Sequence, residues 1–255
     1  MEPVVFDNAT VRRHSIHASC HNTLNAVSNR DYPNSDFFRP DIECLDLDAY
    51  EKEHCGGQAD CTVDAVLGIC SCHNKRKSAY RLLLVELRMN YQSERNLSKT
   101  DMERKVLHTR DILGEELAIE RESIFIFNNR IAERVRNWFS RQAQSGGELR
   151  FCRPYAVSDF PTVVNCYEDM PYVPDTDVEQ ALKELKQKPW KGFITGMQYW
   201  IRQAGEYSYR NPFEEQCIQK MLKEAYLWVK DTKESWNDDE LLDMEILKED
   251  APYLG

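Results

Sequence analysis

The chain has 255 residues, with 33 Lys plus Arg against 43 Asp plus Glu, and a formal charge of −10. Apolar residues make up 42%, enough for a real core, which excludes a disordered chain. A pI near 5.2 excludes a grip on nucleic acid by the whole surface. No apolar run approaches about 18 residues, so no membrane span is expected. Met1 to Thr10 has neither a charged start nor an apolar stretch, so no secretory signal is expected either. Nine cysteines, an odd number spread along the chain, read as reduced thiols of a cytoplasmic protein, most of them small buried hydrophobes.

In chain order, Asn8 to Ser28 is polar and His-containing, with a weak apolar stripe at Val11, Ile16, Leu24 and Val27 that predicts partial helix. Asp31 to Pro40, with Pro33, Asn34 and Pro40, reads as a loop, and Ile42 to Leu47 as a short strand. Thr62 to Cys70 and Ala79 to Met89 both have strand composition. The polar stretch between them makes the unit a hairpin centred near Lys75. Ser98 or Thr100 then caps a helix whose inner face is Met102, Val106, Leu113 and Leu117. Ser123 to Phe127 (SIFIF) reads as a buried strand, and Ile131 to Phe139 as an amphipathic helix ended by Gly146-Gly147.

The glycine pair predicts a boundary, giving a core over 1–147. An accessory region over 148–230 is irregular from Phe151 to Val173 and then helical. Its helices are expected over Thr176 to Gln187, Gly192 to Gln203 and Phe213 to Lys230, the last opened by Asn211-Pro212. Residues 231–255 read as an acidic tail, with nine acidic and two basic residues and apolar anchors at Trp236, Leu241 and Leu242. Lys75 to Arg110 is the opposite, with ten basic and four acidic residues, and reads either as a phosphate-gripping face or as solvated surface.

Period two puts Glu86 and Arg88 on one strand face with Leu82 and Leu84. A hairpin centred near Lys75 sets Asp64 directly across from Glu86, with Cβ atoms about 4.5–5.5 Å apart. Two carboxylates that close repel unless a cation lies between them, and hard oxygen donors suit Mg²⁺. Asp60 has the same strand parity as Asp64 and competes with it. Metal plus cation is what phosphodiester hydrolysis needs. Blander readings remain for each: Glu86 paired with Arg88 or Arg81, and Lys75-Arg76-Lys77 as a solvated turn.

Val63-Asp64-Ala65-Val66-Leu67 and Leu83-Leu84-Val85-Glu86-Leu87-Arg88, set in an α-β-β-β-α-β order over roughly residues 8–128, resemble the PD-(D/E)xK nuclease superfamily. That resemblance implies an α/β restriction-endonuclease-like core with a mainly helical C-terminal region. It implies Asp64 and Glu86 as ligands of Mg²⁺ (or Mn²⁺), with Arg88 in the usual lysine position. It also implies cleavage of DNA or RNA in bacterial defence or DNA processing. Lys75, Arg76, Lys77, Lys99 and Lys105 would then face the nucleic acid. Arg88 cannot exchange a proton, so only charge stabilisation survives there, and Lys99 or Lys105 would supply a lysine if one is needed. The first helix offers no evident acid. The rival expectation is an inactive scaffold of the same fold, docking protein partners through the helical region and acidic tail. A third is a helical adaptor in which the acid pair is accidental.

Cys55, Cys61, Cys70, Cys72 and His73 invite a zinc site. However, Cys61 and Cys70 at opposite ends of one strand would be roughly 30 Å apart. His14, His17, Cys20 and His21 form a second cluster with no other half nearby, which reads as polar surface. His108 falls on the polar side of its helix. No Walker loop, G-x-G-x-x-G or G-x-S-x-G motif occurs.

Overall fold

Residues 4–33, 35–54 and 61–254 are described by the computed structural model. They fall into two units, residues 1–171 and 172–255, each with its own apolar core. The first unit runs β1 (Val4–Phe6), α1 (Asn8–Arg12), α2 (His17–Cys20), β2 (His21–Thr23), α3 (Leu24–Asp31), β3 (Glu43–Asp46) and α4 (Leu47–His54). It continues through β4 (Ala65–His73), β5 (Arg76–Arg88), α5 (Lys99–Leu113), β6 (Ser123–Phe127), α6 (Ala132–Ala143), β7 (Cys152–Ala156), α7 (Phe160–Val163) and β8 (Val164–Asn165).

The fold is mixed α/β around one open sheet, ordered β2-β3-β4-β5-β6-β7, with β1 bridging β4 and β8. β3, β4 and β5 form an antiparallel meander. The connections through α5 and α6 make β5, β6 and β7 parallel. Side chains alternate across the sheet. Leu83, Val85, Ile124 and Ile126 pack on one face with Leu24 and Val27 of α3. Leu82, Leu84, Phe125 and Phe127 pack on the other with Met102 and Val106 of α5 and Val135 of α6. Gly68 is where α1 crosses β4: a Cβ there would lie 2.4 Å from the Asp7 carbonyl oxygen.

The hairpin is longer and tighter than its polar middle suggests. His73 pairs with Arg76, leaving Asn74-Lys75 as a two-residue turn with φ of 47° and 60°. Both residues are left-handed, the turn geometry that follows strand twist. Farther on, Ser71 pairs with Ser78 but Ile69 pairs with Arg81, so β5 carries one residue more than β4. Ala79, at φ 49°, sits in this bulge. Past it, Ala65 pairs with Val85, and the next step of the same register sets Asp64 opposite Glu86.

Ser98 caps α5 through the Asp101 N–H, and SIFIF is a fully buried strand. The stretch expected to be irregular after Gly147 is different. It adds β7 to the sheet, so the boundary lies after Pro171 rather than at Gly146-Gly147. Pro154 sits inside β7, tolerable because β7 ends the sheet and one side of it needs no ladder.

The second unit is helical: α8 (Val178–Gln187), α9 (Trp190–Tyr207), α10 (Pro212–Thr232) and α11 (Asp238–Asp250). Asn211 caps α10, as its sequence signature predicts. The acidic tail is not a tail: α11 is opened by an Asn237–Glu240 capping box, and Met244, Leu247, Ala251 and Leu254 enter the core. Trp236 packs against that core, whereas Leu241 and Leu242 face solvent. No helix among the described residues is long and apolar enough to cross a membrane.

Buried Glu214 ties the start of this unit together. It accepts the Asp175 and Thr176 N–H groups at 3.0 and 2.8 Å and the Tyr172 hydroxyl at 2.8 Å. Burial alone would raise its pKa, but the hydrogen bonds from Thr176 and Tyr172 win and hold it below the ordinary glutamate value. A depressed folded pKa gives stability that is full above the unfolded value, about 4.3, and is lost as pH falls through the folded value. Helical melting followed by circular dichroism should therefore weaken on acidification below about pH 4.3, less steeply in Glu214→Gln.

Candidate functional site

Asp64 immediately precedes β4, and Glu86 lies near the end of β5, where its side chain is fully buried. One Asp64 oxygen accepts the Leu87 N–H, which anchors its carboxyl across the ladder. Glu86 Oε1 receives Lys105 Nζ at 2.9 Å and Arg88 at 2.6 Å. Glu86 Oε2 is sealed from solvent and has no hydrogen-bond partner among the described residues. Arg88 also donates to the Tyr91 hydroxyl at 2.6 Å.

Lys105 reaches this point because α5 crosses the sheet face that carries Glu86, with Met102 and Val106 packed beneath it. Of the two lysines expected to substitute for the strand position, geometry selects this one. Lys99 instead donates to Ser145 Oγ at 2.6 Å and the Gly146 carbonyl at 2.8 Å.

The electrostatics follow from burial. Burial first, then the Glu86 charge, drives the Asp64 carboxyl well above the ordinary aspartate value. Asp48, in the first turn of α4, is also raised, again mainly by burial. Burial opposes the charge on Lys105 and Arg88, but Glu86 outweighs it and both are held more firmly protonated than usual.

Asp64 lines a small recess of about 20 Å³ together with Asp48, Arg30 and Asp31, the last residue of α3. Arg30 is bound to Asp46 and lies 3.9 Å from Asp48. Asp31 and Asp48 were missed in the sequence. Residue 31 reads there as the start of a loop, not the end of a helix, and Asp48 sits in an unpatterned acidic run. On the other side, Arg88, Lys105, Tyr91, Ser98, Asp101 and Arg104 line a cleft of about 210 Å³.

The basic run of the hairpin does not join this site. The Asn74-Lys75 turn is at the far end of β5, roughly 35 Å along an extended strand from Glu86. Lys75 donates to the carbonyls of Tyr167 and Glu168 at 2.7 and 2.9 Å, and Lys77 pairs with Asp7 at 2.9 Å. Arg76 is exposed. The expected phosphate-gripping face is thus largely occupied by contacts within the chain. Arg81 pairs with Glu120, not Glu86, and His108 is held by buried Glu51 at 2.9 Å.

Asp60 and Cys55 lie outside the described residues. Cys61, Cys70, Cys72 and His73 do not converge on a common point among the described residues. There, three or more His, Cys, Asp or Glu ligand atoms lie within 4.8 Å of one another only at His17, His21 and Glu43. Comparison with protein-family models, with curated proteins and with solved structures finds no match.

Proposed function

We propose that the first unit is a metal-dependent nuclease built on a restriction-endonuclease-like core, hydrolysing phosphodiester bonds of DNA or RNA. The observation that carries this reading is the ladder register that sets Asp64 opposite Glu86, with Lys105 on the Glu86 carboxylate. The order α3, β3, β4, β5, α5, β6, with α4 inserted between β3 and β4 and with β5 and β6 parallel, supports it.

The residues fit a hard divalent cation on two grounds: among the described residues buried Glu86 Oε2 has no hydrogen-bond partner, and the recess that Asp64 lines also carries the carboxylates of Asp48 and Asp31. Asp64 and Glu86 would hold Mg²⁺ or Mn²⁺, with Asp48 and Asp31 on the recess that Asp64 lines. When bound, such an ion supplies polarisation of the phosphoryl oxygen and a more acidic water.

The chain's own groups divide the remaining work. Lys105 keeps its proton at Nζ and fixes Glu86 Oε1, so it acts as a positive charge and not as a base. Arg88, permanently charged, presents a guanidinium to the cleft where a scissile phosphate would lie. Tyr91 fixes the orientation of that guanidinium.

The test is incubation of the purified chain with single- and double-stranded DNA and RNA, with Mg²⁺, Mn²⁺ or chelator. Cleavage should require the ion and fall about 10²–10³-fold in Lys105→Met, the scale of losing one preorganised charge contact. Absence of cleavage on every substrate would overturn the reading. It would leave the second one, a catalytically silent scaffold of the same fold that docks proteins. The observation favouring that alternative is that Glu86 Oε1 is already neutralised by two cations.

A further inference from the structure

We propose that His17, His21 and Glu43 form a second metal site, for a borderline divalent ion of the zinc class, at the β2 edge of the sheet. His17 opens α2 and His21 opens β2, one helical turn later in the chain. The missing half of the histidine cluster is Glu43, the first residue of β3. In the β2–β3 ladder His21 pairs with Leu45 and Thr23 with Glu43, so His21 and Glu43 are diagonal neighbours on one face.

One ligand atom from each of the three residues lies within 4.8 Å of the others. His21 Nε2 is 3.6 Å from Glu43 Oε2, and the two imidazole centroids are 4.8 Å apart. His17 Nε2 is the telling atom: it is closed off from solvent and has no hydrogen-bond partner among the described residues. A buried ring nitrogen is normally satisfied, and a metal lone-pair acceptor satisfies it without a further protein group.

Two imidazoles and one carboxylate are a zinc-type ligand set, not the all-oxygen set of Mg²⁺, so this site is chemically distinct from the acid pair. Glu43 also takes the Arg12 guanidinium on both oxygens, Nε donating to Oε2 at 2.7 Å and Nη2 donating to Oε1. A carboxylate has lone pairs for both, and an outer partner of this kind orients a ligand. His21 is exposed, which leaves room for water in the remaining position.

The experiment is metal uptake by the full chain after chelator treatment, with Zn²⁺ measured by equilibrium dialysis and Co²⁺ by its absorption spectrum. One Zn²⁺ should bind, its affinity falling about tenfold or more in His21→Ala and in Glu43→Gln. The Co²⁺ spectrum should lack a thiolate charge-transfer band. Because His21 is exposed, His21→Ala should keep the fold, checked by circular dichroism. Failure to take up one Zn²⁺, equal uptake by folded His21→Ala, or a thiolate band would each overturn the assignment.

Discussion

Asp64→Asn should reduce metal-dependent cleavage about a thousandfold, the loss of several kcal/mol of charge stabilisation, while its melting temperature holds or rises. The two effects diverge because the carboxylate is poorly placed for stability. Burial, with Glu86 and Asp48 nearby, disfavours its charge in the absence of a cation. Asparagine removes that charge and keeps an oxygen for the Leu87 N–H. Thermal melting without metal, beside the cleavage assay, checks the pair. A variant that melts lower and still cuts would make Asp64 an ordinary structural acid.

Glu86→Ala should behave in the opposite way for stability. It strands Lys105 and Arg88, both largely withdrawn from solvent, without the carboxylate that neutralises them. Breaking a buried pair from one side typically costs about 3–5 kcal/mol. Urea unfolding should show that loss. Glu86→Leu combined with Lys105→Met should recover part of it, since an apolar replacement on both sides leaves fewer unmatched charges. An unchanged midpoint in Glu86→Ala would mean that the two cations find other partners.

Much of the first unit was legible because its signals are local. Ser98, one of two candidate caps, caps its helix, SIFIF is the core strand its apolar run predicts, and period two puts Glu86 on a face with Leu82 and Leu84. Lys105 was legible only as one of two options, because helix spacing does not say which turn lies over a strand. Asp31 and Asp48 were not legible: what brings them near Asp64 is the packing of the end of α3 and the start of α4, which no short pattern encodes. β7 was hidden by Pro154, a residue that argues against a strand until its edge position is known. Composition misread the last 25 residues for a similar reason. Nine acids dominate the count, while four well-spaced apolar residues from Met244 to Leu254 decide the burial. His14 and Cys20 show the same limit. Both were expected at the surface and both are buried, His14 against the Leu113 carbonyl.

The expected pairing of Asp64 with Glu86 came from a hairpin counted symmetrically about Lys75, but the actual turn, continued without interruption, would have set Asp64 against Val85. The single unmatched residue around Ala79 restores the count. A variant that shortens or lengthens the hairpin tip by whole residue pairs would keep the acids in phase. A change of one residue there must be cancelled elsewhere in the ribbon, or the carboxylates part company however well both are retained. Parity of loop length, as much as identity of the two acids, is thus what keeps the proposed pair together.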